Sequence, residues 1–273
     1  MTLISTHLEL TDLIEELPPL SDTVARLVAL TSDPTASADD IANLLMRDGV
    51  LTGELLSEAN SSALASATPA RSVSDAIVRL GLIRVVAVAV RLDSQKLTKE
   101  MGAGAVDRGK IMKHQMYAVE AAVILGRHLG KCDRNSLVTT AVLHDIGKLV
   151  LAQIRDFESL PDQILEAAGD AAAELELELL QVHHGEVGRV VCDHWSIPED
   201  IGEAIQHHHM PLEHGTLAHA TYLVDLLSRL ADDEEPGNPD LFKYVPECLE
   251  YLGLSTSDFD AALEATRRAI SRY

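Results

Sequence analysis

Ala141-Val142-Leu143-His144-Asp145-Ile146-Gly147-Lys148 sets an imidazole and a carboxylate side by side in an otherwise apolar helical run. Neighbouring His and Asp side chains can ligate one metal ion, or one ion each of a pair. A lone His-Asp dipeptide is weak evidence, since chance supplies about one in a chain this rich in both residues. Its companions decide the reading: Val182-His183-His184-Gly185-Glu186-Val187-Gly188, then Ala204-Ile205-Gln206-His207-His208-His209-Met210-Pro211, then Asp225 inside the apolar run Tyr222 to Leu227. These are N and O donors of the kind that Fe, Mn, Zn or Mg prefer.

Working outward, the 273-residue chain is 47% hydrophobic, ample for a buried core. Its 22 basic and 43 acidic residues leave a net charge of −21. That field repels phosphate backbones and anionic lipid alike, which argues against direct nucleic-acid binding and against a membrane surface. Cys132, Cys192 and Cys248 are odd in number and lack a CxxC pair, so a reducing, cytoplasmic setting is expected. The first 19 residues are acidic and have no basic flank before an apolar stretch, unlike a secretory signal. The run Leu82 to Leu92 is about half the roughly 20 residues of a membrane span, and Arg84 and Arg91 interrupt it.

Apolar spacing predicts helices throughout. One carries Val24, Leu27 and Leu30 and ends at Asp33-Pro34; the next starts at Ser37, with Asp40 three residues on as an acidic capping-box partner, and ends near Asp48-Gly49. Others are expected from Leu51 to Asn60, from Ser72 or Ser74 to Gly81, and from Leu82 to Leu97. The valines of the last favour a strand by propensity, but no second strand exists to pair with it. A long helix from Val106 to Leu129 carries His114, and one from Asn135 to Ile154 carries the His-Asp pair. After a loop around Phe157 to Asp162 come an acidic, alanine-rich helix from Gln163 to Val182 and short helices at Glu186–Trp195 and Glu199–His208. Thr216–Ala231 is another, followed by an acidic loop at 232–237 and about two helices in the tail. The fold class expected is therefore all-α, a multi-helix bundle.

The amino-terminal half carries further signals: Leu17-Pro18-Pro19-Leu20, Ile41 through Asp48 with Leu51, Glu58-Ala59-Asn60-Ser61-Ser62, and Ala76-Ile77 with Leu80-Gly81. With the histidine segments, their order and spacing resemble the HDOD family, the bacterial output-domain branch of the HD superfamily, over about Leu17 to Pro211. The resemblance departs at Asp48-Gly49, where the family usually has Asp-Pro, a change expected only to loosen one turn. It implies an HD-like bundle with an amino-terminal helical subdomain: segment 1–16, an HDOD domain at 17–213 (subdomain 17–100, metal-pocket bundle 101–213), and completing helices at 214–273.

The resemblance also implies a signalling or regulatory role with a signalling protein or a nucleotide as partner; HD proteins outside this branch are metal-dependent phosphohydrolases. It matches His114 to the leading histidine, His144 and Asp145 to the name-giving pair, and Asp225 to the closing aspartate. His184, followed by Gly188, and His208 with His209 are similar to the extra histidines of HD-GYP phosphodiesterases, although Lys110 replaces the glutamate that precedes the leading histidine there. The expected cofactor is one or two divalent metal ions (Fe, Mn, Zn or Mg). Asp145 would bridge them, with His114, His144 and Asp225 on one ion and His184 with one or both of His208 and His209 on the other. Asp145 and Lys148 are the candidate catalytic residues, Lys148 neutralising phosphate charge from the same helical face. His207 is the expected outsider of its triplet, although a one-residue shift would exchange it for His209, and His183 is expected at the surface. A buried Asp225 requires a cation or an Arg opposite. A regulatory module, an active phosphohydrolase and a metal-free scaffold with relic histidines all remain open at this level, and no oligomeric state follows.

Overall fold

The computed structural model describes residues 12, 15, 17, 21–31, 37–61, 68–100, 108–153, 167–232 and 241–271. Within them the chain is helical and carries no strand. The helices are α1 (Asp22–Thr31), α2 (Ala38–Leu45), α3 (Gly49–Ala59), α4 (Val73–Leu80), α5 (Leu82–Glu100), α6 (Arg108–Leu125), α7 (Arg134–Leu143), α8 (Ile146–Leu151), α9 (Asp170–Leu180), α10 (His184–His194), α11 (Glu199–Gln206), α12 (Thr216–Ala231), α13 (Val245–Leu252) and α14 (Thr256–Ile270). The expected loop at 157–162, the acidic loop at 233–237 and the segment 1–11 lie outside the described residues, as do Asp33 and Pro34.

Capping chemistry starts several helices where the sequence places it. Ser37 and Ser72 each accept from the backbone N–H three residues on, and Asp40 and Asp75 bond back to the caps. Gly81 closes α4 with φ +78, where a β-carbon would be strained. Asn60 ties the end of α3 to a residue ten positions away, donating to the Ala70 carbonyl at 3.0 Å and accepting from its N–H at 2.7 Å.

At Asp48-Gly49 the Asp side chain caps α3 by accepting from Val50 and Leu51 N–H at 3.0 and 2.9 Å. Gly49 is the first helical residue, and space beside it is open to 4 Å. Proline suits that position because its fixed φ is helical and the N–H it lacks has no helical partner. Gly49→Pro should therefore raise stability by about 0.5–1 kcal/mol, mainly by restricting the unfolded chain. Urea unfolding checks this, and a fall in midpoint would show that Asp48 cannot hold the required extended conformation.

Helices α1 to α4 pack on one another, and α1, α3 and α4 on α5, which continues onto α6 and α7. Leu27, Leu45, Leu55, Ala76, Val85 and Val90 are buried in the same core as Leu125, Leu143, Ile146 and Leu227, so one hydrophobic interior runs from the amino-terminal helices to the last. In its second half α6 packs on α7, α12 and α14, α8 on α10, and α11 on α7, α10 and α12. Leu82–Glu100 is a helix despite its valines, because the apolar side chains face the bundle on both flanks.

Two expected helices end differently. The helix carrying His114 stops at Leu125, four residues early, in successive turns from Gly126 to His128. The helix expected at 135–154 breaks at the His-Asp pair. His144 closes α7 while Asp145, with φ −97 and ψ 9, precedes α8. Apolar periodicity continues across the break, which is why it is invisible in the sequence. The acidic helix begins at Asp170 after Gly169, whose φ is +60; residues 163–166 lie outside the described residues.

Behind the break, α8 crosses α10 closely enough that a β-carbon on Gly147 would lie 1.9 Å from the His184 carbonyl oxygen and 2.8 Å from Gly188 N. Gly147 and Gly188 are therefore the contact surface that brings His184 to the His-Asp pair.

Candidate metal centre

The break sends His144 and Asp145 to one point from two helices, and four further elements bring the other donors to it. His114 comes from α6, His184 from the first turn of α10, His208 and His209 from the turn after α11, and Asp225 from the middle of α12. His144, His184, His208, His209, Asp145 and Asp225 are at most 2% exposed. Three overlapping groups of donor atoms each lie within 4.8 Å: His184, His208 and His209; His114, His144 and Asp145; and His144, His208 and Asp225.

The Nε2 atoms face one another. His114 and His144 are 3.0 Å apart at Nε2, His184 and His208 3.3 Å, and His184 and His209 3.2 Å. The far nitrogen of every ring meets an acceptor. His144 Nδ1 donates to the Ala141 carbonyl at 2.9 Å and His208 Nδ1 to the Ile205 carbonyl at 2.6 Å. His184 Nδ1 donates to Glu176 at 2.6 Å and His209 Nδ1 to Asp170 at 3.2 Å. His114 Nδ1 lies 3.2 Å from the Ser228 hydroxyl, whose own proton goes to the Asp225 carbonyl, so Ser228 accepts. With each Nδ1 engaged by its own partner, the Nε2 atoms of all five rings face the pocket. Two neutral Nε2 atoms at 3.0–3.3 Å repel unless a proton or a metal ion stands between them.

The carboxylates complete the set. Asp145 Oδ2 is 3.7 Å from both His114 and His144 Nε2, while its Oδ1 is 3.4 Å from His184 Nε2, so one oxygen faces each side of the pocket. Asp225 Oδ1 lies 2.9 Å from His114 and 3.6 Å from His144. Asp225 Oδ2 is buried and accepts no hydrogen bond, an arrangement that costs free energy; Asp145 Oδ1, which accepts none either, is met by the Lys148 ammonium at 2.9 Å. Inward Nε2 atoms, two buried carboxylates and Nδ1 atoms held by second partners are the donor set of a His/Asp metal centre, so the residues fit the expected ion.

Two protein cations enter the same pocket. Lys148 Nζ hydrogen-bonds Asp145 Oδ2 at 3.0 Å and lies 2.9 Å from Oδ1. Arg229 donates from Nε to Asp225 Oδ1 at 2.8 Å, and its Nη2 is 3.4 Å from His114 Nε2 and 3.7 Å from Asp145 Oδ2. This is the Arg that Asp225 requires, four residues on along α12. Burial opposes ionisation of Asp145, but Lys148 and the surrounding histidines hold its pKa well below the usual carboxylate range. Burial likewise opposes ionisation of Asp225, and Arg229 with His114 and His144 overcomes it.

The same field divides the imidazoles. Burial, with Arg229, pushes His114 down to about 4, and burial with neighbouring rings holds His208 and His209 well below the ordinary value. On His144 burial is outweighed by Asp145 and Asp225, and its pKa rises.

His183 is a correction to its expected surface position: it is 2% exposed. It caps α10, its Nδ1 accepting from Gly185 N–H at 3.1 Å while Glu186 bonds its backbone N–H. Its extended backbone points it away from His184, so both can be interior. Burial pushes it to about 4. His219 is also buried, stacked on Tyr251 away from the pocket. His207 stacks on His214 outside the centre, leaving His208 and His209 inward. Lys110 is exposed one turn before His114.

Glu176, Asp170, Ser228 and Arg229 were not among the candidates. Arg229 and Ser228 follow Asp225 at helical spacing, a usable signal; Glu176 and Asp170 sit in a helix that reads as acidic and solvated, yet both are buried. Burial lifts Asp170 to about 6 despite its bonds from Lys243 N–H and the Tyr222 hydroxyl.

In metal-free protein, His114, His183, His208 and His209 have folded pKa values below their unfolded value of about 6.5, and the raised His144 opposes them. The four contribute stability that is complete above about pH 6.5 and is lost as pH falls toward 4, because the unfolded chain binds the extra protons. The His144 contribution has the opposite sign, present at low pH and lost above its raised pKa. The urea midpoint should therefore fall between pH 6.5 and 4.5; an unchanged midpoint would mean that these rings stay solvated.

An all-α bundle enclosing a His/Asp centre at a helix break defines the HD class of architecture. The HDOD domain model matches residues 17–211, and the chain belongs to that family. The fold matches a protein of Marinobacter aquaeolei VT8 provisionally named a signal transduction protein, with TM-score 0.78 and 20% identity, over 99% of this chain and 64% of that one. It also matches an HDOD domain protein with unknown function from Geobacter sulfurreducens, with TM-score 0.70 and 23% identity over 97% and 98% of the two chains. A provisionally named phosphohydrolase of Shewanella amazonensis SB2B aligns with TM-score 0.63 and 18% identity over 97% of each. An uncharacterized protein of Treponema pallidum (strain Nichols) is 23% identical over 87% of this chain, which spans only 46% of that relative's length. No helix among the described residues is long and apolar enough to cross a membrane.

Proposed function

We propose that this chain is a regulatory HDOD module in signal transduction whose His/Asp pocket retains divalent metal, one or two ions, in a chiefly structural role, while a protein or nucleotide partner engages the surface. The observation that carries the metal reading is the convergence of five imidazole Nε2 atoms, each with its Nδ1 held by a separate partner, on the buried carboxylates of Asp145 and Asp225. His114, His144, Asp145 and Asp225 would hold one ion and His184, His208, His209 and Asp145 the other. Enclosure supports the structural role: His144 and His184 are fully buried, and only the edges of His114, Lys148 and Arg229 reach solvent, at 13, 16 and 17% side-chain exposure. A turnover site keeps an open coordination position, whereas a structural one is closed by protein.

The second reading is a metal-dependent phosphohydrolase acting on a nucleotide or cyclic dinucleotide. The opposed oxygens of Asp145, one toward each half of the pocket, favour it. A bound ion would supply Lewis acidity toward a phosphoryl oxygen. Asp145 would bridge, Lys148 would neutralise phosphate charge, and Arg229 would hold Asp225 in register. The net charge of −21 leaves those two cations as the pocket's own attraction for a phosphate.

Metal analysis of protein purified without chelator should find one or two ions per chain; none, with no uptake of added Mn²⁺, Fe²⁺ or Zn²⁺, refutes the metal reading. Phosphodiester hydrolysis by loaded protein that disappears in Asp145→Ala would replace the regulatory reading with the enzymatic one.

A further inference from the structure

Away from the metal centre, a cavity of about 150 Å³ lies where α3, α5, α6 and α7 meet. One helical face of α5 lines it with Arg84, Ala87, Val88 and Arg91, opposite Val119 and Glu120 of α6. Its charges are unequally satisfied. Arg84 is closed onto the buried Glu120 carboxylate. The Arg91 side chain is four-fifths buried, at 19% exposure, and among the described residues the acidic group paired with it is Glu58 at 3.9 Å, beyond hydrogen-bond reach. On the same wall the Ser61 hydroxyl oxygen is buried without a hydrogen-bond partner. A guanidinium fork and an unmet hydroxyl beside an apolar wall are what a carboxylate on an apolar body requires.

We infer that this cavity is a binding site for a small organic monocarboxylate of about the size of benzoate. The carboxylate takes the Arg91 fork and the Ser61 hydroxyl, displacing the weak Glu58 contact, and the ring rests on Val88 and Val119. A volume near 150 Å³ suits a benzene-sized body. Glu58 and Glu120 penalise a second negative charge, which excludes a phosphate dianion. The site is regulatory by position. Gln115 of its wall donates to the Val142 carbonyl at 3.0 Å, joining α6 to α7 beside His114 and His144, so an occupant braces the two helices that carry those rings.

Titration calorimetry on chelator-treated full chain tests this, with sodium benzoate as probe and benzyl alcohol and inorganic phosphate as controls. Saturable one-to-one benzoate binding is expected, at least tenfold weaker in Arg91→Met and absent in Val119→Phe, which fills the cavity; each variant is first shown to melt cooperatively. No saturable binding, equal binding by benzyl alcohol or phosphate, or unchanged affinity in both variants overturns the site. So does benzoate binding seen only after metal loading, since the anion would then be on the ion; that result would leave the metal reading standing. Loss of metal with benzoate binding intact would do the reverse.

Discussion

Gly147→Ala should unfold the carboxyl-terminal half of the bundle or cost it about 3 kcal/mol or more. A methyl group there would lie 1.9 Å from the His184 carbonyl oxygen and 2.8 Å from Gly188 N, both backbone atoms of α10 that no rotamer change can move aside. Overpacking of a tight core costs about 1–3 kcal/mol, more when the obstruction is main chain. Relief requires α8 and α10 to separate, which carries His184 away from Asp145, 3.4 Å distant, and from His208 and His209. Loss of metal uptake should accompany the fall in Tm. Gly53→Ala is the control: that helical position is open to 4 Å, and alanine should be neutral or slightly stabilising. A Gly147→Ala protein with unchanged Tm and full metal uptake would show that the two helices part without disturbing the pocket.

The second large effect concerns Arg229. In metal-free protein it is the nearest cation to Asp225 and lies 3.7 Å from Asp145. Removing one partner of a buried ion pair costs about 3–5 kcal/mol, because the remaining charge is left uncompensated. Arg229→Met, which keeps much of the apolar stem, should therefore lower the urea-derived stability of metal-free protein by about 3 kcal/mol. Saturating Zn²⁺ should restore a large part of that loss, since the ion replaces the missing charge, and the variant should take up the ion more tightly than the parent. An equal loss with and without Zn²⁺ would show that Arg229 acts through packing alone.

Much of the bundle was legible because its signals are local. Ser37 with Asp40, and Gly81, each mark a helix end through a bond within four residues, and the structure places those ends there; of Ser72 and Ser74, the two caps the sequence offered, it uses Ser72. The break at His144-Asp145 was not legible. Leu143, Ile146, Leu149 and Val150 are all interior on both sides of it, so their apolar pattern does not change where the axis does. The residues that meet in the pocket were named one by one through the family resemblance, which matched each by its order and local pattern, with Asp225 standing out besides as a carboxylate in an apolar run. Their supporting partners were hidden. Asp170 and Glu176 belong to a helix with enough acidic residues to read as solvated, and their burial depends on His209 and His184 lying across from them. His183 was misplaced because two adjacent rings were taken to be unable both to point inward from one short segment, whereas the helix begins between them.

The donor segments are dispersed in chain order, from α6 through to α12, with helices or connections between successive segments. An ion held by all of them is a clasp that closes several chain loops in one event. Closure entropy grows only with the logarithm of loop length, so lengthening a connection between two donors costs little. Shifting a donor by one residue within its helix turns it by about 100° out of the pocket. Such a centre tolerates insertions between its donor segments and hardly any inside them, which makes donor register, not total chain length, the quantity the pocket constrains.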